Sequence, residues 1–363
     1  MFFGIGDMDI LRLLWQCRCI EKDDLTAAFS ENAVENLAAL RLIRCLRGRN
    51  VLTLTAEGKA LLARCCADLP EDVQLSYRTG DIARRCRLSK LTLTAYRAGL
   101  TIRANDILSL QQNGTYFMPS AMRTRGANPW SNSRVGALLR LGDQLCAAHY
   151  VCADIGNILL TEELSTFANN TARIKNVRHA FFFAGESYES VLAVLKRPHT
   201  ESNGALMSYA DAFHRLRLPS YLLSCDDTGA LQLQIMAVPN YRSRFSHAAL
   251  RTQYAEAPTE HPDWDAMFQG MPFVMAADMD LNRLDRSIKA ARDAGYRQII
   301  LVCLKAQAEA VFYPYYRDTG MARVFTLNDS AIEAVLGYPL APYAPPRKLF
   351  ETETGEVIDI PRI

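Results

Sequence analysis

Residues 30–58, SENAVENLAALRLIRCLRGRNVLTLTAEG, read as a capped helix, a tight hairpin and the start of another helix. Ser30 is a good N-cap, because its hydroxyl can accept a bond from a free amide of the first turn. Glu31 and Glu35 favour the positive N-terminal end of the helix. Val34, Leu37 and Leu40 supply its inward stripe. Arg44 to Arg47 and Val51 to Leu54 are short strands around a Gly48-Arg49-Asn50 turn, and Thr55 can cap a closing helix carrying Ala60, Leu61 and Leu62.

Working outward, Ile10, Leu13, Leu14 and Cys17 fall at i, i+3, i+4 and i+7, one face of a first helix. Lys22 to Phe29 is a short second helix with Leu25, Ala28 and Phe29 inward. Helix, helix, helix and hairpin over 9–62 is the order of a winged helix-turn-helix, a module used mainly to bind DNA and otherwise to dock proteins. The segment resembles the winged-helix regulators of bacteria, whose wing commonly ends in Leu-Thr-x-x-Gly, here Leu54-Thr55-Ala56-Glu57-Gly58. It departs from them at Arg41, where a glycine usually permits a left-handed helix end.

The 363-residue chain is half hydrophobic, enough for two or three domains with sizeable cores. No run of about 18 apolar residues predicts a membrane span, and the acid-bearing start MFFGIGDMDI does not read as a secretory signal. The ten cysteines lack a C-x-x-C pair and fall mostly at apolar positions such as Cys45 and Cys303, which predicts reduced core thiols and a cytoplasmic protein. A zinc site on Cys17 and Cys19 would need distant partners. The net charge of +2 is uneven: residues 1–150 hold 20 Lys and Arg against 14 Asp and Glu, and 78–140 hold 11 cations against Asp81 and Asp106 alone. A basic stripe beside a winged helix is the footprint of phosphate contact.

The expected organisation is a winged helix at 1–66, a basic helix and connector at 67–130, an α/β domain at 131–338 with a mixed, partly parallel sheet, and a proline-rich tail with a terminal hairpin at 339–363. Asp81 to Ala98 is the basic helix, carrying Arg84, Arg85, Arg87, Lys90 and Arg97. Strands follow at VGALLRLG, LCAAHYVCAD and HAFFFA, with helices at 161–169 and 187–196. Residues 218–224 and 231–237 read as a hairpin around Asp226-Asp227-Thr228-Gly229, and 251–270 as a polar loop. From PFVMAAD onward strand and helix alternate, which favours a parallel α/β unit.

This arrangement resembles the replication-relaxation family, accessory proteins of plasmids and integrative conjugative elements of Firmicutes. The winged helix at 9–62, RRCRLSKLTLTAYRAG, SRVGALL, HAFFFAGESYESVLAVL, DMDLNRLDRSI and VCLKAQAEAVFYPYY carry the resemblance, in order over 9–336. It implies a role near plasmid or conjugative DNA processing, through DNA or relaxosome and replication partners.

On the residues themselves, the leading expectation is a non-enzymatic binder of double-stranded DNA. Asn32 and Asn36 can pair with adenine edges, while Arg44, Arg47 and Arg49 of the wing, with Arg84, Arg85, Arg87, Lys90 and Arg97, meet phosphate. Glu31 and Glu35, with Glu21, Asp23 and Asp24 before them, oppose groove entry by the third helix. A protein-docking adaptor is the alternative reading. A divergent nuclease is another: Asp226 or Asp227 followed by Gln232-Leu233-Gln234, with Glu162, Glu163, Asp278 or Asp280, offers carboxylates but no Glu-x-Lys pair for Mg²⁺. The six histidines lack metal-site spacing, His179 reads as structural, and no phosphate-binding glycine loop occurs, so no cofactor is expected. Phe312, Tyr313, Tyr315 and Tyr316 read as packing residues rather than a base-stacking platform.

Overall fold

A computed structural model describes residues 2–66, 69, 75–104, 106–122, 129–130, 133–152, 160–200, 206–208, 218–250, 263–316, 320–340 and 347–359. The chain starts with strand β1 (Phe2–Gly4), helix α1 (Ile5–Cys17), strand β2 (Ile20–Glu21), and helices α2 (Lys22–Ala28) and α3 (Glu31–Ala39). The hairpin strands β3 (Ile43–Cys45) and β4 (Val51–Leu54) and helix α4 (Ala56–Cys65) follow, with β2 and β3 antiparallel on either side of β4. Ile10, Leu13 and Leu14 of α1 share one core with Leu25, Val34, Leu37, Leu52 and Leu54. Both caps form: Ser30 Oγ accepts from the Ala33 amide at 3.2 Å and Thr55 Oγ1 from the Gly58 amide at 3.1 Å.

The α3 terminus is a Schellman turn without glycine. The Arg41 amide donates to Ala38 O and the Leu42 amide to Leu37 O, with Arg41 at φ 56°. The left-handed conformation costs a non-glycine residue about 1 kcal/mol, offset here by burial of Leu37 and Leu42. Leu40 lies at the cap and is 47% exposed, so it does not extend the inward stripe as expected. Cys45 is also exposed rather than part of a core.

Helix α5 (Thr79–Arg97) is no connector: it packs against α1, α2 and β2 on one side and the main sheet on the other. That sheet comprises β5 (Thr101–Ala104), β6 (Thr115–Phe117), β7 (Ala137–Leu141), β8 (Gln144–Tyr150), β9 (Arg178–Gly185) and, after a small β10 (Pro198–Thr200)–β11 (Leu206–Ser208) pair, β12 (Ser220–Ser224). Its order is β12-β9-β8-β7-β6-β5, with β6, β7 and β8 antiparallel and β8, β9 and β12 parallel. Helices α6 (Leu160–Asn170) and α7 (Tyr188–Lys196) make the parallel crossovers. The run HAFFFA is apolar throughout because β9 is covered on both faces: Phe182 enters one core, Phe181 and Phe183 the other.

The expected hairpin at 218–237 is instead β12 followed by helix α8 (Asp227–Ala237). Asp226 is its N-cap, with Oδ1 accepting from the Gly229 amide at 2.8 Å. The alternation of Leu231-Gln232-Leu233-Gln234 mimics a strand because Gln232 is buried. Its amide donates to Leu222 O and Asp278 O, both at 2.8 Å, and accepts from the Tyr188 hydroxyl at 2.7 Å.

Helix α9 (Tyr241–Ala249) leads to a second sheet of β13 (Ala266–Phe268), β14 (Met271–Met275), β15 (Ile299–Cys303) and β16 (Ala322–Thr326) in that order. Helix α10 (Leu281–Asp293) and the helical stretch α11 (305–316) connect its three parallel strands, and α12 (Asp329–Leu336) follows β16. Strand β13 lies within the stretch expected to be a polar loop, of which 251–262 fall outside the described residues. The sheets meet where Tyr221 bridges Asp280 and the Leu222 amide donates to Met279 O at 3.2 Å. The tail forms the expected hairpin, β17 (Lys348–Glu351) and β18 (Val357–Asp359), and β17 pairs with β1, tying the two ends of the chain together. Arg12 of α1 stacks over the Phe350 ring at 5.7 Å. Among the described residues, no helix is long and apolar enough to cross a membrane.

One core group carries a pH signature. His149 on β8 is buried against Phe181 and Phe183, and neither ring nitrogen has a hydrogen-bond partner. Burial pushes its pKa down to about 4 from the usual 6.5. Its folded value therefore lies below its unfolded value, so stability is full above pH 6.5 and is lost as pH falls toward 4, by about 3 kcal/mol. Urea melts of His149→Phe should show a flatter profile than wild type between pH 6.5 and 4; superimposable pH profiles would contradict a buried neutral imidazole.

Candidate nucleic-acid interface

The β3–β4 hairpin is fastened to α5 by a small core of Cys19, Leu46, Val51, Ile82 and Cys86, with Leu75 against it. This packing turns the other side of the hairpin outward. Arg44 and Arg47 are exposed and Arg49 is half-buried. The Arg44 Nη2 donates to the Tyr77 hydroxyl at 3.3 Å, and the Arg49 Nη2 to Thr79 Oγ1 at 2.9 Å. Hairpin and α5 N-terminus thus form one edge, to which Arg78, the exposed N-cap of α5, belongs.

Exposure along α5 extends that edge for about two turns. Gly80, Ala83, Arg84 and Arg87 follow helical spacing, and all but the half-buried Arg87 are exposed. The acid within this stretch, Asp81, accepts from the Ser76 hydroxyl at 2.6 Å. That bond, helped by Arg84 and Arg78, holds its carboxyl below the usual range. The local field is therefore positive.

The remaining cations of α5 do not reach this edge. Arg85 is buried. Lys90 Nζ lies 3.3 Å from Glu21, 3.7 Å from Asp24 and 3.3 Å from Glu186. Burial disfavours its charge, but these three carboxylates outweigh that and raise its pKa. Arg97 pairs with Asp227 at 2.8 Å. Lys90 and Arg97 therefore bind the N-terminal elements and α5 to the α/β body, and the continuous five-cation stripe expected from composition does not form. Charge counting misses this because every partner is distant in sequence.

Asn32 and Asn36 are both exposed on α3, beside the equally exposed Glu31 and Glu35. The acids weighed for a nuclease serve inside the fold. Asp226 caps α8 and Asp227 pairs with Arg97. Glu163 accepts from the Ser133 hydroxyl and the Arg134 amide, both at 2.6 Å, while Glu162 is exposed. Asp278 and Asp280 engage Arg242. Among the described residues, no group of three His, Cys, Asp or Glu is placed to hold a metal ion. All ten cysteines are free thiols. His179 contacts Thr171 Oγ1 at 3.1 Å. Phe312 and Tyr316 are buried and Tyr313 is exposed.

No protein-family model, curated protein or solved structure matches this chain.

The arginine edge is thus the one place where the sequence-derived candidates converge. It keeps Arg44, Arg47, Arg49, Arg84 and Arg87, and adds Arg78 and its tether residues Tyr77 and Thr79. Arg78 had a signal in the sequence, since it opens the basic run; Tyr77 and Thr79 had none.

Proposed function

We propose that this chain is a DNA-binding accessory protein of the replication-relaxation type, acting in plasmid or conjugative DNA processing and gripping duplex phosphate with the arginine edge. The first 65 residues are read as a winged helix, with β3–β4 as the wing. The observation that carries the proposal is the tethering of Arg44 and Arg49 to Tyr77 and Thr79, which joins wing and α5 into a single basic surface. Phosphate contacts position a protein on DNA without reading sequence. Helix α3 carries two exposed carboxylates beside Asn32 and Asn36, which opposes deep insertion into an anionic groove. The module therefore orients the protein more than it selects a site.

Fluorescence anisotropy with a short labelled duplex tests the reading. The triple variant Arg44→Ala, Arg47→Ala, Arg49→Ala should bind about a hundredfold more weakly, given charged hydrogen bonds of about 1–1.5 kcal/mol each. Asn32→Ala with Asn36→Ala should change affinity by no more than about threefold on any sequence. Unchanged affinity in the arginine variant would remove the proposal. The exposed Glu31, Glu35 and Leu40 of α3 favour the second reading, a protein-docking adaptor; absence of duplex binding even at low salt would leave that reading standing.

A further inference from the structure

Strand β16 ends its sheet, and the side chains on one of its faces are uncovered: Phe325 is 51% exposed, and Arg323 beside it is exposed too. No ion pair or hydrogen bond of the Arg323 side chain occurs among the described residues. We propose that β16 is the contact by which two copies of this chain pair, antiparallel, about a two-fold axis through Val324.

The backbone sets the register. Within the sheet the Ile299 amide donates to Met321 O and the Leu327 amide to Cys303 O, both at 2.8 Å. With Ile299 beside Ala322 and Cys303 beside Thr326, residues 321, 323, 325 and 327 turn their amides and carbonyls toward β15. Ala322, Val324 and Thr326 therefore point theirs outward. A two-fold axis through Val324 makes Val324 a hydrogen-bonded pair with its own copy and sets Ala322 opposite Thr326. All the outward-facing groups of the strand are then used.

The same register sets Arg323 opposite Phe325 of the second copy, twice. These are non-hydrogen-bonded positions, where facing side chains stand closest, and a guanidinium over an aromatic face is attractive. Self-pairing thus supplies each exposed side chain with a complementary one. The β18 edge, which also exposes apolar residues at Val357 and Ile358, lacks this property. Self-pairing there about the midpoint of those residues would set Glu356 against Asp359 of the other copy, a like-charge contact. A two-fold contact is also closed, so it yields a dimer rather than a fibre.

Sedimentation equilibrium of the full chain from 1 to 200 µM tests the proposal. The wild-type mass should rise from 40.6 kDa toward twice that value, with a dissociation constant on the order of 10 µM for so small an interface. Phe325→Lys places a cation opposite Arg323 and should weaken pairing at least about tenfold. Phe325→Glu places a carboxylate there and should preserve or tighten it. Both substitutions sit at an exposed side chain, so neither disturbs a core. Val324→Pro removes an outward amide while leaving the bonds to β15 in place, and should give a monomer with an unchanged circular dichroism spectrum. A wild-type chain that stays monomeric at 200 µM, or equal weakening by Phe325→Lys and Phe325→Glu, would overturn it. Neither readout depends on DNA binding.

Discussion

Replacing Asp278 with alanine should lower the unfolding free energy by about 3–5 kcal/mol, because it leaves the Arg242 charge without its main partner. Asp278 is the anchor of the seam between the two sheets. Its Oδ2 accepts from the Tyr241 hydroxyl at 2.6 Å and from Arg242 Nε at 2.7 Å, and its Oδ1 from the Asp280 amide at 3.2 Å. Arg242 reaches on to Asp280 at 3.4 Å, and Asp280 Oδ1 accepts from the Ser220 and Arg283 amides. Burial opposes ionisation of Asp278, but Arg242, Arg283 and the bonds from Tyr241 and Arg242 outweigh it and hold the carboxyl below its usual value. A carboxylate depressed in the folded state contributes stability above its unfolded value near 3.8, and loses it as pH falls through the lower folded value. The gap between wild type and Asp278→Ala in urea melts should therefore be wide at pH 7 and close only below pH 3.8. A loss under about 1 kcal/mol at pH 7 would show that the seam does not depend on this group.

The second large effect concerns Gly58, the last residue of the Leu-Thr-x-x-Gly run. A Cβ at this position would stand 2.1 Å from Leu42 O and 3.0 Å from Leu42 C. Leu42 O already accepts from the Thr55 amide at 3.0 Å and from Thr55 Oγ1 at 3.2 Å. The first turn of α4 is thus pressed directly onto the backbone that enters the hairpin, and no flexible side chain is available to yield. Gly58→Ala should destabilise by about 3 kcal/mol, the upper part of the range for overpacking. Gly80, in the first turn of α5, has nothing within 4 Å of its Cβ position. Gly80→Ala should instead stabilise by about 0.5–1 kcal/mol through lower chain entropy. Thermal melts of the two variants should move in opposite directions. If both rise, the contact with Leu42 is not what demands a glycine.

Local signals were legible wherever the physics was local. The caps at Ser30, Thr55 and Asn328 and the apolar spacing of Ile10, Leu13 and Leu14 lie where sequence reasoning puts them. So do the alternating strands and helices after residue 271. The failures share one cause, which is polar side chains satisfied from far along the chain. Gln232 broke the periodicity of α8 because its partners are Leu222, Asp278 and Tyr188. Lys90 and Arg97 read as solvated cations because Glu21, Asp24, Glu186 and Asp227 meet them only in the fold. Arg41 in a left-handed turn was hidden because the residue type argues against it. Of the candidate interface, the hairpin arginines could be read directly. The division of α5 into an exposed basic start and a buried, ion-paired remainder could not.

The central claim is that Arg44, Arg47, Arg49, Arg84 and Arg87 form one phosphate-binding edge. Its most direct test is the slope of log K against log salt for a short duplex, measured on wild type and on the triple hairpin variant. Five phosphate contacts predict a slope of roughly −4 to −5 for wild type, and two remaining contacts about −2 for the variant. A wild-type slope near zero, or the same slope in both proteins, would contradict the account.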